Sequence, residues 1–185
     1  AASDVYKRQA IVIAQVTHDN SLAISGACAI AAATSASLAE KATIEEAISA
    51  GVYGAIRGET KAKSVSRVVA GASVVERIKL ALQIAEGAGS KEEKLLKLSQ
   101  IIGSGLHISE AVPCAFGIAA LNKDSALQAV IDAVNIGYDT DTIATIVGTM
   151  VGAFVDFEDK NFLDLYDKVQ KANEINLIIL ADELA

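Results

Sequence analysis

The chain reads as an all-α protein, and three features of its sequence carry that reading. Apolar residues recur every three or four positions in segment after segment, the spacing of one buried helix face. A single proline occurs in 185 residues, which suits long helices. No stretch alternates apolar and polar residues over more than a few positions, and no repeat of fixed period is present. The expectation is one compact, orthogonal multi-helix unit of about eight helices. Its core has to be built from small pieces. Hydrophobic residues make up 52% of the chain and aromatic ones only 4%, with no Trp, so Ala, Ile, Leu, Val and Gly fill the interior and helices can approach closely.

Residues 1–9 fit nothing that follows and resemble a translated sequencing adapter; they read as a non-native or unstructured leader. Residues 10–185 then carry the fold, and would be the C-terminal part of a longer protein. Ala10 to Val16 is the apolar end of a helix, broken by Thr17-His18-Asp19-Asn20. Asp19 or Asn20 can cap the next helix, which runs to about Glu40. Thr43 and Glu46 form a capping box that opens a helix to about Ile56, and Arg57 to Ser66 reads as a surface loop. Val74 to Ala85 has helical spacing and ends near Gly87. Ser90 and Glu93 make a second capping box, and that helix continues to Gly103.

The Gly-flanked segment Gly103 to His107 is a loop. The helix after it starts at Ser109, has Pro113 in its first turns, and runs to about Leu121. Asp124 caps the helix from Ser125 to Ile136, which Gly137 closes. The apolar spacing of Ile143, Ile146, Val147, Met150 and Phe154 predicts a buried helix from Thr142 to Phe154, and Asn161 with Asp164 opens a last helix through Leu180.

Several function classes are disfavoured. The net charge is −7 with no dense basic cluster, which argues against a nucleic-acid surface. Ser21 to Ala39 carries no charge, but its Ala, Ser and Thr content is too weakly hydrophobic for a membrane span. Cys28 and Cys114 lie in apolar surroundings and read as buried thiols, which suits a reducing cytoplasm. Two Cys and two His give a zinc site little support.

The chemistry concentrates in Gly137-Tyr138-Asp139-Thr140-Asp141-Thr142, where a loop becomes the first turn of the Ile143 helix. Two readings are open there. Asp141 or Thr140 can simply cap the helix, with Asp139 solvated. Alternatively, carboxylates two apart aim at one point and offer oxygen ligands to a hard cation such as Mg²⁺, at a helix end whose dipole tolerates negative charge.

That motif, followed by Gly148 and Gly152-Ala153, resembles the C-terminal signature of the ADP-ribosylglycohydrolases. Gly103-x-Gly105 with Glu110-x-Val112-Pro113-x-Ala115 resembles the segment that the family places shortly before it, and Thr17-His18 resembles its central Thr-His motif. The resemblance implies an all-α hydrolase with a two-ion centre of Mg²⁺ or Mn²⁺ that removes ADP-ribose from a protein or a small acceptor. By motif, Asp139, Asp141 and Thr142 would be metal ligands, Asp141 shared by both ions. His18 would lie by the ADP-ribose, and Gly103, Ser104, Gly105 and Leu106 would pack against the nucleotide. The family's other ligands form a Thr-Asp-Asp run in an N-terminal segment, and no such run occurs here. The resemblance therefore supplies half of the metal site and no catalytic acid or base. A non-catalytic ADP-ribose-binding or structural relative, and an unrelated helical interaction module, are the competing readings.

Overall fold

A computed structural model describes residues 2–184; Ala1 and Ala185 lie outside the described residues. The all-α expectation holds, with ten α-helices among the described residues rather than about eight. They are α1 (Ala2–Thr17), α2 (Ser21–Ser37), α3 (Ile44–Val65), α4 (Val74–Glu86), α5 (Lys91–Lys97), α6 (Ile108–Leu121), α7 (Ala126–Asn135), α8 (Thr140–Val151), α9 (Lys160–Asn173) and α10 (Leu177–Leu184). They fall into two units, one ending at Phe154 and one covering Val155–Ala185. Residues 2–9 form the first turns of α1. They contain neither Gly nor Pro, so nothing in them stops a helix from propagating.

The first unit is built around α2, a helix of Ala, Ser, Gly and a few larger apolar residues that is buried for most of its length. Asn20, not Asp19, caps it, accepting a hydrogen bond from the Ala23 N–H at 2.9 Å. Helix α3 lies against it so closely that its glycines have no room for a side chain. A Cβ on Gly54 would come within 2.3 Å of the Cys28 carbonyl oxygen, and one on Gly58 within 2.7 Å of Cys28 Cβ. Gly51 makes room in the same way for the ring of Phe116 from α6. The buried Ser25 hydroxyl donates to the Ala55 carbonyl at 3.1 Å, a polar cross-link inside this contact.

The same packing corrects the expected end of α3. Gly51, Gly54, Ala55, Gly58 and Ala62 are all buried, so one face continues past Ile56 and the helix runs to Val65 instead of opening into a loop. Polar residues between those positions belong to the exposed face of a long helix. Ile24, Cys28 and Ala62 form a core cluster against which Ala10, Ile11 and Ala14 of α1 pack.

Both capping boxes form. The Thr43 hydroxyl accepts from the Glu46 N–H at 3.2 Å, and the Glu46 carboxylate accepts from the Thr43 N–H at 3.0 Å. Ser90 and Glu93 do the same at 3.2 and 3.0 Å. Ser125, not Asp124, caps α7, accepting from the Gln128 N–H at 3.2 Å. Helix α5 continues through a wider, π-type turn over Leu98–Ile102. Asp132 on α7 is buried, and it is fully paired: it bonds Lys91 Nζ at 2.7 Å, Asn122 Nδ2 at 2.8 Å and Gln128 Nε2 at 2.8 Å. This network ties α7 to the end of α6 and the start of α5.

In the second unit, Asp159 rather than Asn161 caps α9, accepting from the Asn161 N–H at 2.8 Å. The expected last helix is two helices, because Glu174 adopts a left-handed conformation (φ 54°) and Asn176 then accepts from the N–H groups of Ile178 and Ile179. Phe162 packs edge-on against Phe157 and stacks on Tyr166.

Two outcomes follow from the core of the first unit. Gly54→Ala should destabilise the chain by about 1–3 kcal/mol through overpacking, although Ala is the better helix former. A lower urea midpoint at unchanged slope is the readout; a raised midpoint would mean that α2 and α3 can separate freely. Burial pushes the Cys114 thiol up to about 12 from an ordinary value of 9.0. Above pH 9 the unfolded chain gives up that proton while the folded chain keeps it, so stability should fall between pH 9 and about 12. Cys114→Ala should remove that part of the slope in denaturant titrations at stepped pH.

Candidate functional site

The site is a meeting of two loops. The first joins α7 to α8. Gly137 (φ 91°) and Tyr138 (φ 64°) both take positive φ, which reverses the chain after α7. For Gly this costs little; for Tyr, in the left-handed region, it costs roughly 1–2 kcal/mol. Asp139 then occupies the N-cap position of α8 at φ −89°, ψ 61°, yet its side chain caps no backbone N–H. The capping reading needs Asp141 or Thr140 at the cap, and both lie inside the helix, past the cap position.

The Asp139 carboxylate is instead held inward. Oδ1 accepts a hydrogen bond from the Thr142 hydroxyl at 2.9 Å. Oδ2 is buried and has no hydrogen-bond partner among the described residues. Asp139 is 8% exposed, so this oxygen has little recourse to bulk water. A buried, unpaired carboxylate oxygen is costly, and a cation is the type of partner that relieves it. Asp141 is exposed in the first turn of α8, where the helix dipole favours its charge. Among the described residues, no three Asp, Glu, His or Cys side chains gather as a cation site.

The second loop runs from Gly103 to His107. Gly103 leaves the π-type turn at φ 89°, its N–H donating to the Leu98 carbonyl at 3.1 Å. Ser104 is buried, and its carbonyl accepts the Asp139 N–H at 3.0 Å. Its hydroxyl lies 3.4 Å from that of Ser99. The Gly105 N–H donates to Glu110 Oε2 at 3.1 Å. A Cβ on Gly105 would sit 2.6 Å from both Glu110 Oε2 and the Tyr138 ring, so the two loops touch at a residue that must be small. His107 ends the loop by capping α6, its Nδ1 accepting from the Ser109 N–H at 3.3 Å.

His18 sits in the turn between α1 and α2, exposed, with Nδ1 2.8 Å from the Thr17 hydroxyl. That turn is pinned to the segment after α3: the Ser21 N–H donates to the Arg67 carbonyl at 2.9 Å, and Arg67 Nε donates to the Asp19 carbonyl at 3.1 Å. His18 and Asn20 line a cavity of about 610 Å³ together with Leu106, His107 and Ile108. Leu106 is 77% exposed, an apolar side chain presented at the cavity instead of packed in the core. The Gly103–His107 loop thus touches Asp139 through Ser104 and faces His18 through Leu106.

Two residues quoted in the motif strings have contacts in the site that the strings do not show. Tyr138 is 81% exposed with its ring against Gly105, in a backbone conformation that a Gly-Tyr-Asp string does not announce. Glu110 lies in the first turn of α6, where the helix dipole favours its charge, and it also ties down the Gly105 N–H. Its place five residues after Gly105 was the available signal.

Thr142→Val should leave both Asp139 oxygens without a side-chain donor and cost about 1–3 kcal/mol, while Thr142→Ser retains most of the stability. Equal denaturation midpoints for the Val and Ser variants would show that the hydroxyl does not hold the carboxylate.

Comparison with known proteins bears on this geometry. The sequence profile of the ADP-ribosylglycohydrolase family matches residues 2–184. The chain is 31% identical over 137 residues to the uncharacterized protein YegU of Escherichia coli strain K12, a match covering 74% of this chain and 40% of that protein. No solved structure matches. With both site loops and the His18 turn inside the matched stretch, the chain belongs to the ADP-ribosylglycohydrolase family.

Proposed function

We propose that this chain forms part of a metal-dependent hydrolase that removes ADP-ribose from a modified protein or an ADP-ribose-containing small molecule. Family membership supports the reaction class. The buried, unpaired Oδ2 of Asp139 is the observation that carries the metal dependence. Asp139, Asp141 and Thr142 are the residues that would hold Mg²⁺ or Mn²⁺. Bound divalent ions supply positive charge that orients and acidifies water and stabilises negative charge at the reacting centre. The chain's own contributions are positional. Thr142 holds one oxygen of Asp139 so that the other stays directed at the site. The Ser104 carbonyl anchors the Asp139 backbone. Leu106 and His18 flank the cavity that would take part of the ADP-ribose, with Gly103 and Gly105 letting the loop backbone come close to a ligand.

The donor count limits what these 185 residues do unaided. Each hard cation takes about six oxygen ligands, and the second ligand set implied by the family pattern, a Thr-Asp-Asp run, does not occur in the chain. A cytoplasmic location suits the buried thiols. No described helix is long and apolar enough to cross a membrane.

Calorimetric titration with Mg²⁺ tests the reading. The chain alone should bind weakly, and Asp139→Asn should abolish the signal. Supplying a Thr-Asp-Asp segment in the same polypeptide should raise affinity and bring release of ADP-ribose from a modified protein. There Asp141→Asn should cost more than Asp139→Asn, because a shared ligand serves two ions. Tight two-ion binding by the 185 residues alone would show that other groups complete the site, and unchanged binding by Asp139→Asn would remove Asp139 from it.

A further inference from the structure

We infer that Arg77 is a positioning residue for the Gly103–His107 loop, bracketing it through backbone carbonyls that its flanking helices leave unpaired; the step from loop to ligand rests on the ADP-ribose reading above. Pro113 creates the first of these unpaired carbonyls. Helix α6 begins at Ile108, so Pro113 lies in its second turn, as its place early in the helix leads one to expect, but past the first helical position, where a proline's missing N–H costs no helical bond. A helical residue at 113 would donate its N–H to the carbonyl four residues back, that of Ser109. Proline has no N–H, so α6 cannot satisfy that carbonyl itself. Ser109 is buried, which makes an unpaired carbonyl there costly.

Arg77 fills the place from another helix. Its Nη1 donates to the Ser109 carbonyl at 3.0 Å, a charge-assisted bond reaching from α4 to the start of α6. Its Nη2 reaches the Ile101 carbonyl at 3.5 Å, a longer contact. Ile101 lies in the last turn before Gly103, among the carbonyls that a helix end leaves without a partner. One guanidinium therefore touches the chain just before the loop and just after it. The planar fork suits two acceptors at once, which a Lys ammonium on its flexible stem does not reproduce. Fixing both ends fixes where Ser104 meets Asp139 and where Leu106 faces His18.

Amide hydrogen exchange by mass spectrometry on the whole chain tests this, read on peptides covering residues 103–108 with α3 peptides as the internal reference. Arg77→Ala should speed exchange in the loop by about tenfold, the equivalent of one charge-assisted hydrogen bond, and leave α3 unchanged. Arg77→Lys should fall between. In a Pro113→Ala background the restored N–H takes the Ser109 carbonyl, so adding Arg77→Ala should change loop exchange by only about threefold or less. The inference is overturned if Arg77→Ala leaves loop exchange unchanged, if it raises exchange equally in α3, or if its effect is the same with and without Pro113. Calorimetric titration with ADP-ribose on the same variants should show affinity falling with loop protection and recovering in the double variant. If the unsubstituted chain does not bind ADP-ribose while the exchange pattern holds, the clamp stands and the ADP-ribose reading fails.

Discussion

The fold rests on how closely α2 and α3 approach. A helix pair this tight needs one face without side chains, and α3 provides it with glycines at 51, 54 and 58. Each glycine inside a helix costs about 1 kcal/mol relative to alanine. The return is contact with the backbone and thiol of Cys28, and a slot for the fully buried ring of Phe116. Through Phe116 the contact reaches α6, and α6 begins where the Gly103–His107 loop ends. A close helix contact made by Gly, Ala and Cys28 thus leads, through Phe116, to the starting point of a site loop.

Main-chain bonds join the two site loops and tie one of them to the turn before it. Asp139 gives its N–H to the Ser104 carbonyl, and Gly103 gives its N–H to Leu98. Such contacts do not depend on which side chain occupies the position, so the loops hold their register while Leu106, Tyr138 and His18 remain exposed. The costs of this arrangement are local: a left-handed Tyr138 and an unpaired buried oxygen on Asp139. Strain and unsatisfied polar groups of this type collect where a protein meets a ligand. By contrast Asp132, equally buried, has both oxygens paired and ties α7 to its neighbours.

The elements that could be read from sequence are those whose physics is local. Thr43 with Glu46 and Ser90 with Glu93 act three residues apart, so their capping boxes are written in four-residue strings, and both form. The helical spacing of α4, α6 and α8 belongs to one helix at a time and was equally readable. The Gly137–Thr142 string marked the carboxylates for the same reason. The length of α3 was not readable, because Arg57 to Ser66 is polar by composition. Only its partner α2 shows that Gly58 and Ala62 are interior positions.

Sequence alone determined the all-α class, the small-residue core, the starts of several helices and the chemical type of the site residues, since each depends on residues a few positions apart. Tertiary structure decided the rest. It brought Ser104 to Asp139 across 35 positions of chain and Leu106 to His18 across 88. It also left one oxygen of Asp139 buried and without a donor. Burial and pairing of a polar atom are properties of everything packed around it, and a motif of six residues carries no record of those neighbours.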